Sequence, residues 1–186
     1  MTSRALLTAV AIAASLFALS CTDPIHDGGV KATGCEVGGV PKGPLHRAGQ
    51  PCGVCHQESG PAASIFTVSG TIFAQPSNLV GVDQATVTFT DARGSVHTTQ
   101  TNCVGNFFVR PEEWTPSFPI LVRVSKNASP PADMQSQIGR ETSCANCHVT
   151  SIPPDDPTSQ VPHVYLGIDE PKPACDVDPD LTKVGQ

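Results

Sequence analysis

The chain has 186 residues, 15% charged and 39% hydrophobic, a mixture that fits neither a disordered polyampholyte nor a membrane-spanning bundle. With 18 Pro, 16 Gly and only 5% aromatics, it calls for many turns, little long helix and a modest apolar core. The net charge of −6, with no basic run, argues against nucleic acid as a partner.

The first element is an export signal. Arg4 supplies a short charged start, and Ala5 to Leu19 is an uncharged stretch too short to span a bilayer comfortably. It ends at Phe17-Ala18-Leu19-Ser20-Cys21, which resembles a bacterial lipobox and makes Cys21 the candidate lipidation site. Ala18-Leu19-Ser20 equally satisfies the small-x-small rule, with cleavage at the same bond and no lipid. Residues 1–20 are therefore expected as a signal peptide and 21–34 as a tether. The lipoprotein resemblance, with no Asp directly after Cys21, implies an exported protein anchored at the outer membrane, in the periplasm or at the cell surface. Loss of Arg4 would leave ten basic against 17 acidic residues, so a partner docked by charge would present a basic face.

Residues 35–62 are rich in Gly and Pro and carry the first Cys cluster. The texture then changes. Ile65, Phe66, Val68, Ile72 and Phe73 form a β-prone run, and Ala85 to Thr90 alternates apolar residues with Thr, the pattern of a strand with one buried face. Asp91 to Gly94 reads as a turn, Val96 to Thr101 as a strand, Asn102 to Gly105 as a turn, and Asn106 to Arg110 and Pro119 to Ser125 as further strands. Such spacing predicts a β-sandwich or barrel over 63–128. Residues 129–170 turn polar and Pro-rich around the second Cys cluster. Within them, Met134 to Arg140 reads as a short strand or a turn of helix, and Val161 to Leu166 as a last apolar patch. The acidic tail, 171–186, is expected to be loosely held.

The chemistry lies in Cys52-Gly53-Val54-Cys55-His56 and Cys144-Ala145-Asn146-Cys147-His148. Two thiols three positions apart lie on one side of a turn, where each can add to one haem vinyl group, and the adjacent His can reach the iron beneath the ring. A thioredoxin-like disulfide would want a βαβ context, which is missing. A Cys₄ zinc site would have to join pairs 92 residues apart, far beyond a zinc ribbon. Neither alternative explains a His after both pairs. Two covalent haem c groups are therefore expected, with thioethers at Cys52, Cys55, Cys144 and Cys147 and proximal iron ligands His56 and His148.

For the far side of each iron, His46 and His163 are the candidate distal ligands, since both lie in loop-rich arms, and Met134 is a weaker candidate. Which iron each would serve is open. His97 is expected on a strand facing solvent, and His26 in the tether with no role. Bis-His ligation would close the iron for electron transfer, whereas an open position would admit ligand binding or peroxidase chemistry. Of the eight Cys, Cys35, Cys103 and Cys175 remain after haem and lipid. A Cys35–Cys175 bridge would tie the flexible ends, with Cys103 competing for either partner.

Two resemblances add to this reading. Ser69-Gly70-Thr71-Ile72, Ala85 to Gly94, and Thr99 to Thr101 leading into Gly105-Asn106-Phe107 resemble the carboxypeptidase regulatory-like (transthyretin-like) sandwich, with Asn102-Cys103 departing from its usual turn. The doubled Cys-x-x-Cys-His, with the lipobox, resembles small multihaem c-type cytochrome lipoproteins of Gram-negative bacteria, of the δ-proteobacterial type. Together they imply a mainly β chain, a small Ig-like or transthyretin-like antiparallel sandwich flanked by two loop-rich haem c binding arms. The implied activity is electron transfer to a redox partner protein or other cytochromes, without catalysis. The rivals are a β-sandwich binding or structural lipoprotein whose Cys pairs hold zinc or disulfides, and a haem-based sensor or peroxidase.

Overall fold

The computed structural model describes residues 24–33, 43–127, 129–150, 161–169, 171 and 175. The signal segment, Cys21 and Cys35 lie outside these residues. The chain is mainly β, built on two sheets with antiparallel pairing at their centres. One sheet holds β1 (Val68–Gln75), β2 (Asn78–Gly81) and β5 (Asn106–Val109), and the other holds β3 (Thr86–Thr90), β4 (Val96–Gln100), β6 (Leu121–Ser125) and β7 (Ala132–Asp133). Three later strands, β8 (His148–Thr150), β9 (Val161–Pro162) and β10 (Val164–Tyr165), complete the series.

The period-2 pattern decides which faces meet. Val68, Ile72 and Ala74 of β1, Val87 and Phe89 of β3, Phe107 and Val109 of β5, and Val124 of β6 form one buried apolar cluster between the sheets. Phe89 is fully buried, with its ring 6.0 Å from Phe107 and 5.7 Å from Trp114. The turn after β3 is held by Asp91, whose carboxylate accepts the amides of Arg93 at 2.9 Å, Ser95 at 2.8 Å and Ser117 at 3.0 Å. The turn before β5 is built the same way, with Asn102 Oδ1 accepting the amides of Val104 and Asn106, each at 3.1 Å. Gly105 is required there: its φ is +81°, and a Cβ would lie 2.2 Å from the Ile72 carbonyl oxygen.

The structure corrects several expectations. The segment 21–34 is not a featureless tether, because Pro24–Thr33 forms a helix, α1. His26 on that helix meets Gln57, with Nδ1 2.5 Å from Nε2. His97 does not face bare solvent but stacks on Trp114, centroids 5.4 Å apart. Met134 to Arg140 is neither a continuous strand nor a helical turn but an irregular segment held at two points, with Met134 N–H donating to Val122 O at 3.0 Å and Ile138 bridging Ile120. Strand β2 had no distinct sequence signal. The second arm is not separate from the sandwich, since β7 pairs with β6 and β10 runs parallel to β1.

The expected Cys35–Cys175 bridge gives way to Cys103–Cys175, with a Cα–Cα distance of 5.5 Å. The reason is local: the Asn102 turn presents Cys103 rigidly at the sheet end, within ordinary disulfide reach. The acidic tail is therefore tied to the domain at residue 175. Closing a loop with 72 residues of separation would restrict the unfolded chain by up to about 4 kcal/mol on the chain-entropy account.

Two outcomes follow for stability. Phe89→Ala should cost about 3–5 kcal/mol in denaturant unfolding, because the void it leaves is enclosed by both sheets. Three amides, that of Ser117 foremost and against the opposing effect of burial, hold the Asp91 carboxyl below its ordinary value. Its contribution is thus complete above the ordinary carboxylate value and fades as pH falls through the depressed one. Asp91→Asn should lower Tm at neutral pH, with the gap to the parent narrowing under acid; a pH-independent gap would contradict this assignment.

Candidate functional site

Both Cys-x-x-Cys-His segments adopt the same turn. Cys52–Val54 and Cys144–Asn146 are short 3-10 turns, closed by Cys55 N–H to Cys52 O at 3.1 Å and Cys147 N–H to Cys144 O at 3.2 Å. Both turns are seated on β1. Every residue of that strand from Val68 to Ala74 is buried: the sandwich core, with Cys144 of the second turn packed against it, covers one face, and the first arm together with His163 covers the other. Ser69, Thr71 and Phe73 alternate with the core residues and point toward the arms.

The first arm is anchored at each of these outward positions. The Ser69 hydroxyl lies beside the Cys52 thiol, whose Sγ–H donates to Gln50 O at 3.5 Å. Thr71 Oγ1 accepts Gly49 N–H at 2.8 Å and donates to Asn106 Oδ1 at 2.7 Å. The Asn106 amide in turn donates to His46 O at 2.9 Å, and Asn102 Nδ2 donates to Pro44 O at 2.8 Å. The loop that carries His46 is therefore bolted to β1 and β5 by buried polar side chains. Phe108, the other outward residue of β5, stacks on Phe66 at 4.7 Å, and Phe66 stacks on the His56 ring at 4.0 Å.

The second arm meets the open edge of β1. Ser69 N–H donates to Thr142 O at 2.9 Å, and Ser69 bridges Ser143 in parallel. Gly70 has no side chain to block the approach: a Cβ there would lie 2.9 Å from Cys144 Cβ and 2.9 Å from the Phe107 ring. Gly53 does the same between the turns, its hypothetical Cβ being 3.1 Å from both Ser143 Cβ and Thr142 Oγ1. Cys52 and Cys144 are close enough for their charges to interact. Burial pushes the Cys144 thiol up to about 12, with the Cys52 charge adding to it, while Cys147 is exposed. An open groove beside the turns is lined by Gly53 and Val54 from the first arm, Phe66 from the start of the β-domain, and Thr142 and Asn146 from the second arm.

The candidate imidazoles share one orientation. His56 Nδ1–H donates to Ser64 O at 2.8 Å, His148 to Pro162 O at 2.6 Å, and His163 to His148 O at 2.9 Å. His46 Nδ1–H donates to the Gly43 carbonyl. A carbonyl only accepts, so each ring carries its proton on Nδ1 and leaves the Nε2 lone pair free for a metal. Burial lowers the His56 pKa, against the Ser64 carbonyl and with help from His46, which favours the neutral ring.

The structure brings His46 to His56, with ring centroids 5.9 Å apart. His163 reaches the backbone of His148 and packs on Phe73 at 5.1 Å. Met134 packs against the apolar core. Cys55 is disulfide-bonded, whereas Cys52, Cys144 and Cys147 are free. Among the described residues no three His, Cys, Asp or Glu side chains converge as a ligand set. Thr71, Asn102 and Asn106 escaped the sequence reading. Their one signal was polarity at strand and turn positions that lie buried or half-buried.

Gly70→Ala should push the second turn off β1 and expose Cys144. In protein made without haem, iodoacetamide at pH 8 should label native Cys144 far more slowly than Cys147, and the variant should raise the Cys144 rate at least about tenfold as its thiol becomes acidic again. Equal rates in native and variant protein would mean that Cys144 is not packed against β1.

Neither a protein-family model, nor a curated protein, nor a solved structure matches the chain.

Proposed function

We propose that this chain is an exported diheme c-type cytochrome that transfers electrons, with haem thioethers at Cys52, Cys55, Cys144 and Cys147 and iron held by His56 and His148. The observation that carries the reading is that a doubled motif has the same turn and the same imidazole orientation twice, with each Nδ1 proton held by a backbone carbonyl. Haem bound there would supply a one-electron couple whose potential is tuned by ligand and burial. The chain's own residues do the rest. The Ser64 and Pro162 carbonyls hold the proton that fixes each ring's tautomer. The Phe66 and Phe108 rings immobilise His56, and β1 keeps the two turns side by side. Covalent attachment suits a sandwich too thin to retain two large cofactors by burial alone.

The packing also orders assembly. Cys144 is enclosed between Gly70 and the first turn, so thioether formation there has to precede docking of the second arm on β1. Cys55 has to be released from its disulfide before it can react. Under the same reading, Cys21 carries the lipid that anchors the protein at the outer membrane, and its negative charge recruits a redox partner with a basic face.

The Cys55 disulfide favours a second reading, a structural lipoprotein whose Cys pairs are cross-links. Expression with a c-type maturation system separates the two. The cytochrome should show a Soret band that survives denaturation and a mass gain of two haems, falling to one haem in Cys52→Ser/Cys55→Ser and to none when both motifs are altered. A colourless mature protein with oxidised Cys would establish the second reading instead. Labelled fatty acid should enter the parent and not Cys21→Ala.

A further inference from the structure

We infer that the two iron sites are inequivalent: His46 closes the site of His56, while the site of His148 keeps an open sixth position that takes a small neutral axial ligand. The inference rests on the diheme reading above.

The first half follows from spacing. Two imidazoles on opposite sides of one metal each place a nitrogen about 2 Å from it, which sets their ring centroids about 6 Å apart. The His46 and His56 centroids are 5.9 Å apart, and both rings have Nδ1 committed to a carbonyl. The spacing is built in: Asn106 and Asn102 grip the loop at the His46 and Pro44 carbonyls, and the Phe66 ring backs His56.

The second half follows from an inventory of strong neutral ligands. Besides the two motif His and His46, the mature chain has His26, His97, His163 and Met134. His26 lies on Gln57, beside the first turn. His97 lies flat on Trp114 in the other sheet, interplanar angle 13°. Met134 is packed on the core. Of these four, among the described residues, His163 is the one that contacts the second motif, and it approaches the His148 backbone: its Nδ1 proton is on His148 O, and its Cε1 lies 3.7 Å from where a Gly49 Cβ would be. Among the described residues, no ring lies beside the His148 ring as His46 lies beside His56, 5.9 Å between centroids. A ferrous iron left with one open position binds uncharged π-acceptor molecules such as carbon monoxide or nitric oxide. The protein would then pair a closed electron-carrying site with a ligand-responsive one.

The test is a carbon monoxide titration of the reduced holoprotein, followed in the Soret band, with electron paramagnetic resonance of the oxidised protein. One carbon monoxide per two haems is expected, with one low-spin and one high-spin ferric signal. His46→Ala should bind two, and His163→Ala should still bind one. Native protein that binds none, or two, overturns the inference, as does a second equivalent gained in His163→Ala but not in His46→Ala. The native resonance spectrum needs no variant to fold, and two low-spin signals would also overturn it. Protein that takes up no haem at all refutes the diheme reading instead, so the two failures are told apart.

Discussion

The arrangement depends on one strand being buried on both faces. β1 carries Val68, Ile72 and Ala74 toward the sandwich core, with Gly70 making room on that face for Cys144, and Ser69, Thr71 and Phe73 toward the first arm and His163. A strand in an antiparallel sandwich ordinarily shows its outer face to water. Here that face would be left with hydroxyls and a large ring that only the arms can satisfy. The arms in turn contribute, among the described residues, only short 3-10 turns and strands of two or three residues. Each side therefore supplies what the other lacks, and the Cys-x-x-Cys-His turns become rigid only by docking on β1.

The docking is polar where position matters and apolar where orientation matters. Thr71, Asn102 and Asn106 grip backbone carbonyls and amides, which fixes a loop without constraining its side chains. Phe66, Phe73 and Phe108 then set ring planes by stacking. A buried hydrogen bond to an amide is worth about 1 kcal/mol net, but losing one partner strands the other in a dry site. Such a network is costly to break piecemeal, and it fixes the loop that places His46 near His56.

The glycines show where close approach matters most. Gly70 and Gly53 leave room for the two turns to meet, and Gly105 lets the turn before β5 pass under Ile72. The Cys103–Cys175 disulfide ties the tail to that same turn. Restraints thus gather at one end of the first sheet, where both arms sit.

Much was legible in the sequence. Alternation in Ala85 to Thr90 and turn residues at Asp91 to Gly94 mark real strands and a real turn, because a one-sided strand must alternate and a tight turn needs particular residues. The Cys-x-x-Cys-His spacing marks two real turns, since three-residue separation is a local property of a turn. His46 could be nominated for the same reason, by its place in a loop-rich arm. What the sequence could not convey is which distant pieces share a surface. That His46 meets His56, that both Cys turns rest on one strand, that Cys175 meets Cys103 and that His97 meets Trp114 are results of sheet order and register. Such contacts join residues far apart in the chain. They are chosen by the burial of whole faces, which no short stretch of sequence records.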